Sequence, residues 1–435
     1  MAQNPIAREG TTATEPTEGA ATPKARAAPR GGFKTFSSLQ NNRDYRFLFT
    51  GNLFSNCAQW LQFITVGWMA LDISGSALHS ILTVAVRATP TLLLGPWAGV
   101  LADRWDRRKL AMALQVMIAT LTLAFAVLVA RGQVDSIWHL YVFMVLSGIG
   151  FTLKQPVRQA LVANTVRRAD MANALALNAM AVTSMRLVGA ALGGILIETV
   201  DFQWNFFVEG SLYLVMVLLL IPMRAPYQEA GTARRASPLS NVVEGLSYML
   251  KNRVMLRLLV INLVRAGVFM PLVLLLPAYT QHSLNAGAAV GTAMIFSMGI
   301  GGVIATVIMS SWGFFNRKGL LCLITLLVGS VVVLSLGLSH WVWYSVPIMA
   351  VMGLAQTTFI VGNQTLIQLV VPDALRGRVS SVWHYESGLV PLFAALIGVV
   401  AEFRDIAFAM TLAGAIAVGL SLWFMARFKD IRALD

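Results

Sequence analysis

The chain has 435 residues, of which 57% are hydrophobic and only 12% charged. A soluble domain carries roughly a quarter of its residues as charges, so this composition excludes an ordinary soluble protein. The formal net charge of +13 raises nucleic acid as a partner, but the placement of the charges, given below, points to no nucleic-acid role.

In chain order, residues 1–36 are rich in Ala, Thr, Pro, Gly, Glu and Arg and nearly free of large apolar side chains. They read as a disordered cytoplasmic tail, not a signal peptide, because they lack a hydrophobic core. Residues 33–46 then form an interfacial lead-in. A helix needs about 20 apolar residues to cross the hydrocarbon core. Blocks of that kind fall near 46–71, 77–98, 110–130, 137–163, 173–198 and 203–223. A second set falls near 254–280, 287–312, 318–338, 341–370, 376–401 and 404–426. The blocks are too long for transmembrane strands. The expectation is an all-α membrane protein of twelve transmembrane helices, followed by a short tail over 427–435.

The longest internal break, 224–253, divides the chain into halves at 37–223 and 254–426. Within the break, SPLSNVVEGLSYMLKNR (237–253) reads as an amphipathic surface helix, with Leu239, Val242, Val243, Leu246, Met249 and Leu250 on one face. Shifting the first half by 205 positions aligns Gly148 with Gly353, Gln159 with Gln364, Leu161 with Leu366 and Gly193 with Gly398. Both halves also carry a basic turn after their second and fourth spans. Two related six-helix halves are a known transporter plan, with the substrate held at mid-depth between them.

Of the 33 Lys and Arg, 26 fall on the side of the N-terminus, two (Arg131, Arg404) on the other, and five (Arg87, Lys154, Arg158, Arg186, Arg265) inside spans. This positive-inside bias places both termini in the cytoplasm. Cys57 and Cys322 sit within apolar spans and read as small buried hydrophobes. No metal-ligand spacing appears and no cofactor is implied.

After the second span comes GVLADRWDRRKL (99–110). With Gly99, Asp103, Arg104, Arg107 and Arg108 it resembles the loop signature of the major facilitator superfamily, and Asp106 stands where that signature has a second Gly. The resemblance covers about 40–430. It implies a cytoplasmic gate in which Asp103 pairs with nearby arginines; a solvated basic loop is the competing reading. A finer likeness is to enterobactin-exporter-like and macrolide-efflux-like permeases, carried by Pro156, Arg158 and Gln159 and by the run Pro372 to Val379. The fifth span's RLVGAALGG (186–194) is similar to the family's antiporter motif. Gly189, Gly193 and Gly194 fit, and Ala190 replaces the usual Pro. That motif implies export; a small-residue helix interface explains the same glycines.

A polar stripe in an apolar span must face protein or water. Stripes occur on the first span (Asn52, Ser55, Gln59, Gln62), the fourth (Lys154, Gln155, Arg158, Gln159), the seventh (Asn262, Arg265) and the tenth (Gln356, Asn363, Gln364, Gln368). These are the spans that line the central cavity in the family, so Asn52, Gln59, Gln62, Lys154, Arg158, Asn262, Arg265, Gln356 and Asn363 are the expected cavity residues. Ionisable groups at mid-span cost about 2.5–3.5 kcal/mol each on insertion scales and are rarely idle. Arg87 and Arg186 read as buried structural charges, with an anion-attracting cavity as the other reading. Glu386, with His384 beside it, and Glu209 are candidate proton carriers. No phosphate-binding loop for ATP is present.

The expectation is a monomeric inner-membrane secondary transporter, not an enzyme. It moves a small drug, siderophore-like or other amphiphilic or anionic compound outward against protons. Import on the same fold, lysophospholipid carriage and a non-transporting sensor are the alternatives.

Overall fold

The computed structural model describes residues 37–167, 170–224, 238–312, 317–372 and 375–434. Residues 1–36 lie outside the described residues, as do the side chains of Gly99, Asp103, Arg104, Gln368, His384 and Glu386.

The helices run in the order α1 (Ser37–Asn41), α2 (Arg43–Ser74), α3 (Ala77–Val86), α4 (Thr89–Arg104), α5 (Arg107–Ala130), α6 (Ile137–Thr165), α7 (Met171–Thr199), α8 (Phe202–Leu220) and α9 (Pro238–Lys251). They continue as α10 (Arg253–Ala278), α11 (Ala288–Trp312), α12 (Lys318–Leu338), α13 (Val342–Val370), α14 (Arg376–Phe403), α15 (Ile406–Arg427) and α16 (Lys429–Arg432). Local sequence sets several of the ends. Asp106 accepts from the backbone N–H groups of Arg108 and Lys109 at 2.9 and 3.0 Å, an N-cap that explains an Asp where the family motif has Gly. Asn252 caps α10 in the same way, from Val254 and Met255. Gly75 takes the left-handed conformation that stops α2.

Ten helices among the described residues are long and apolar enough to cross a membrane. Of the other long helices, α2 falls short through its Asn52–Gln62 polar stripe, and the described part of α14 holds an apolar helix over Leu392–Phe403. The outer surfaces of the spans carry exposed Leu218, Val307, Leu396 and Ile416, an apolar coat that only lipid covers at this extent. Trp138, Trp204, Trp341 and Trp343 are exposed at the starts of α6, α8 and α13, where an interfacial aromatic belt belongs.

Three features depart from the expected elements. The second span, expected as one helix over 77–98, is broken into α3 and α4 at Arg87 and Ala88. Pro90 has no N–H and disfavours helix in the residue before it. The chain tightens instead, with Ala88 N bonded to Ala85 O and Thr91 N to Ala88 O, both at 2.9 Å. α10 ends in a π-turn, Tyr279–Ser283, and Tyr279 Oη donates to the end of α12 at Leu336 O, 2.8 Å away. The short tail after Arg427 is bonded to the helices beside it. Gly319 N bonds to Leu434 O at 3.1 Å, Ile431 is buried, and Arg257 pairs with Asp430.

Packing follows the small residues. An added Cβ at Gly148 of α6 would strike the Arg87 carbonyl, and one at Gly353 of α13 would strike the Met298 carbonyl. Each glycine therefore admits a neighbouring backbone: the α3–α4 break in one case, α11 in the other. α9 packs on α14 and α10, burying Met249 and leaving Val243, Leu246 and Leu250 exposed along one stripe. At the helix ends remote from α1 and α16, two contacts join distant parts of the chain. Ser76 Oγ donates to Glu402 Oε2 at 2.9 Å, and Ala289 N donates to Glu198 Oε1 at 2.6 Å.

Candidate functional site

The polar stripe of α2 does not serve one environment. Gln59, Trp60 and Phe63 line a cavity of about 180 Å³, together with Val84, Arg87, Ala88 and Thr91 from the α3–α4 region, Phe151 from α6 and Met270 from α10. Its position follows from the broken helix. The break turns Arg87 toward α2, and Gly148 lets α6 come close enough to close the wall. Thr91 and Thr152 hydroxyls meet at 2.8 Å across that junction. Asn52, Ser55 and Gln62 instead turn into the packed interior and are buried.

Behind the cavity is a buried charge cluster. Glu209 of α8 accepts from Gln62 Nε2 at 2.8 Å and Thr122 Oγ1 at 3.3 Å through one carboxylate oxygen. The other oxygen, Oε2, has no hydrogen-bond partner among the described residues. Arg87 and Lys154 are the cations that act electrostatically on this carboxylate. Lys154 Nζ donates to Ser55 Oγ at 3.0 Å and lies 5.2 Å from the Tyr213 ring centroid. Arg158 donates to Asn56 Oδ1 at 3.0 Å and Gln155 Oε1 at 2.9 Å. Lys154 and Arg158 are thus tied to α2 and to neighbours on α6. In hydrocarbon such satisfaction is what makes a buried charge tolerable.

Arg87 is different. Its guanidinium carbon lies 4.5 Å from the Phe151 ring centroid, and its Nε has no hydrogen-bond partner among the described residues. A desolvated cation–π contact is worth about 2 kcal/mol. Arg186 of α7 stands 5.6 Å from the Trp60 ring centroid. Trp60 therefore sits beside one cation and shares the cavity with another.

The expected residues of the seventh and tenth spans form a separate group. Arg265 Nε donates to Asn262 Oδ1 at 3.1 Å, and its guanidinium carbon is 5.8 Å from the Phe359 ring centroid. Gln356 and Asn363 are buried on α13, and neither amide atom of Asn363 has a hydrogen-bond partner among the described residues. None of these four lines the cavity that holds Gln59 and Arg87.

Of the loop motif, Arg107 Nη1 reaches Asn164 Oδ1 at 2.9 Å. Arg108 donates to the carbonyls of Leu220 (2.9 Å) and Ile221, neutralising the C-terminal end of α8. The antiporter-like glycines set helix distances. Gly189 meets the Cys57 carbonyl, Gly193 packs on Ile64, and Gly194 meets Thr292 of α11. Phe151, Thr91, Thr122 and Tyr213 are not among the residues expected from the sequence. Glu209 and Tyr213, four apart on α8, share a helix face, the one sequence signal that could group them. Among the described residues, no group of three or more His, Cys, Asp or Glu could hold a metal ion.

Residues 34–435 match the model of a family described as transmembrane secretion effector. The staphyloferrin A transporter of Staphylococcus aureus (strain NCTC 8325 / PS 47) is 22% identical over 87% of this chain and 95% of its own. The multidrug efflux pump Tap of Mycolicibacterium fortuitum is 25% identical over 84% of this chain and 91% of its own. Among solved structures, the nucleoside transporter NupG superposes with a TM-score of 0.71 at 13% identity, covering 89% of this chain and 99% of that one, which shows the fold.

Proposed function

The chain belongs to the transmembrane secretion effector family of major facilitator transporters, and from that premise we propose that it exports a small organic molecule by proton-coupled alternating access. The substrate is a drug, a siderophore-like compound or another amphiphilic or anionic molecule. The cavity bounded by α2, the α3–α4 break, α6 and α10 carries this reading, because it combines aromatic walls with Gln59 and a buried cation.

In this account α2 and α14 also span the bilayer, making twelve transmembrane helices in two halves, 37–223 and 254–426, joined by the 224–253 linker. The matching parts played by Gly148 and Gly353 support the pairing of halves. The positive-inside bias supports cytoplasmic termini and residence in the inner membrane. The protein acts as a monomer in lipid. Asn52, Gln62, Lys154, Arg158, Asn262, Arg265, Gln356 and Asn363 become accessible, or pass their charge to the pathway, as the halves rock. Gly99, Asp103, Arg104, Arg107 and Arg108 latch the cytoplasmic side, and Gly189, Gly193 and Gly194 form the sliding contact. The Ser76–Glu402 and Glu198–Ala289 contacts close the outer side in this conformation. Glu386, aided by His384, carries the proton, with Glu209 as a second candidate.

Everted membrane vesicles from an efflux-deficient host test this. The vesicles are energised by respiration and challenged in turn with hydroxycarboxylate and catecholate siderophores and with amphiphilic antibiotics. Export predicts that one class releases protons from the acidified lumen. Release by no class, in vesicles shown to contain the protein, contradicts the proposal.

A further inference from the structure

We infer that Arg87 is a substrate anchor: its guanidinium, at the wall of the cavity, binds the carboxylate of a small organic acid whose planar apolar body lies among Trp60, Phe63 and Phe151. This rests on the transport reading above and names the substrate class of that site.

Among the described residues, Arg87 lacks the hydrogen-bond partners of a scaffold arginine. A structural arginine in a membrane interior is held by backbone carbonyls, amides or a carboxylate at hydrogen-bond distance. Arg108 has two carbonyls, and Arg158 has two side-chain amides. Arg87 is 9% exposed, and its Nε has no hydrogen-bond partner among the described residues; the Nε atoms of Arg158 and Arg186 share that state, but of the three only Arg87 lines the cavity. What holds it is the Phe151 face at 4.5 Å and the field of Glu209. Neither gives the planar guanidinium the paired oxygens it is shaped to bind, and a carboxylate does.

The rest of the wall describes the rest of the ligand. Trp60, Phe63 and Phe151 offer ring faces, Val84 and Met270 aliphatic contact, and Gln59 a single amide. A volume of about 180 Å³ lies below the roughly 300 Å³ of ordinary drug-sized pockets. It therefore takes one aromatic acid, or the acid end of a larger molecule. The charged groups that face Arg87 are Glu209 and, beyond it, Lys154. A docking carboxylate and Glu209 would share the same cation. Proton binding at Glu209 then favours the anion instead of displacing it.

Isothermal titration of the purified full-length protein in detergent compares 1-naphthoate with its neutral isostere 1-naphthamide. The wild type is expected to bind the acid at least tenfold more tightly. Arg87→Gln loses that preference while keeping amide affinity within about threefold, and Arg87→Lys keeps part of it. To cover a variant that fails to fold, phenylglyoxal labelling of the wild type is read at Arg87 by peptide mass spectrometry. Naphthoate protects Arg87 and naphthamide does not. A wild type that binds the acid no better than the amide, including one that binds neither, overturns the inference. So does retained preference in Arg87→Gln, or absence of protection at Arg87. Those outcomes leave proton-coupled export standing if the vesicles release protons, so the two claims fail separately.

Discussion

Glu209→Gln separates the two ways in which Glu209 stabilises the fold. The amide keeps an oxygen where Gln62 Nε2 donates at 2.8 Å and Thr122 Oγ1 at 3.3 Å, so the hydrogen bonds largely persist. Even their full loss costs little, because interhelical hydrogen bonds in membranes average about 0.6 kcal/mol. The charge matters more. Without it Arg87 and Lys154 lose the carboxylate that acts on them among the described residues; breaking a buried pair in direct contact costs about 3–5 kcal/mol, and with no such contact here the cost lies no higher than the low end of that range. We therefore expect about 3 kcal/mol of destabilisation by equilibrium SDS unfolding in mixed micelles. A cycle with Arg87→Met sharpens the result. The double variant removes the stranded cation and should recover about 1–3 kcal/mol relative to the sum of the single changes. A Glu209→Gln cost under about 1 kcal/mol, or additivity within about 0.5 kcal/mol, would refute the view of Glu209 as counter-charge to Arg87.

The same variant should tighten 1-naphthoate binding several-fold if the anion and Glu209 compete for Arg87; weaker binding argues against competition. Gly148→Val places side-chain atoms against the Arg87 carbonyl and should cost at least about 2 kcal/mol in the same unfolding assay, whereas Gly132→Ala, at a turn with no neighbour within 4 Å, should cost no more than the strain of its left-handed backbone. Combining Ser76→Ala with Glu198→Ala and Glu402→Ala should open the outer side. An impermeant thiol reagent added to intact cells should then label a Phe63→Cys reporter several-fold faster, and an unchanged rate would show that these contacts do not hold the outer end closed.

Long apolar runs make the spans legible in the sequence, because a helix in lipid must be both long and apolar. The break at Arg87 is less so: Pro90 marks it, but prolines are tolerated in membrane helices and only the approach of α6 to Gly148 decides the matter. The stripes on α2 and α6 identify the right residues without their surroundings. A polar side chain must face protein or water, and periodicity cannot say which. Gln62 and Lys154, expected along the pathway, lie against Glu209 and Ser55, because the carboxylate that organises them comes from α8, 147 residues from Gln62 in the chain. Gln59, three residues before Gln62 on the same stripe, does reach the cavity. Arg87 reads from the sequence as scaffold, like the other buried arginines, and its place in the cavity wall is what sets it apart.

We propose that this chain drives a substrate out by letting protons in. Purified protein is placed in proteoliposomes with a radiolabelled substrate identified in the vesicle screen, and a pH gradient is imposed in either direction. Exchange against protons predicts accumulation above equilibrium only when the lumen is acid, lost with a protonophore and in Glu386→Gln. Accumulation with an alkaline lumen, or uptake indifferent to the gradient, would contradict it.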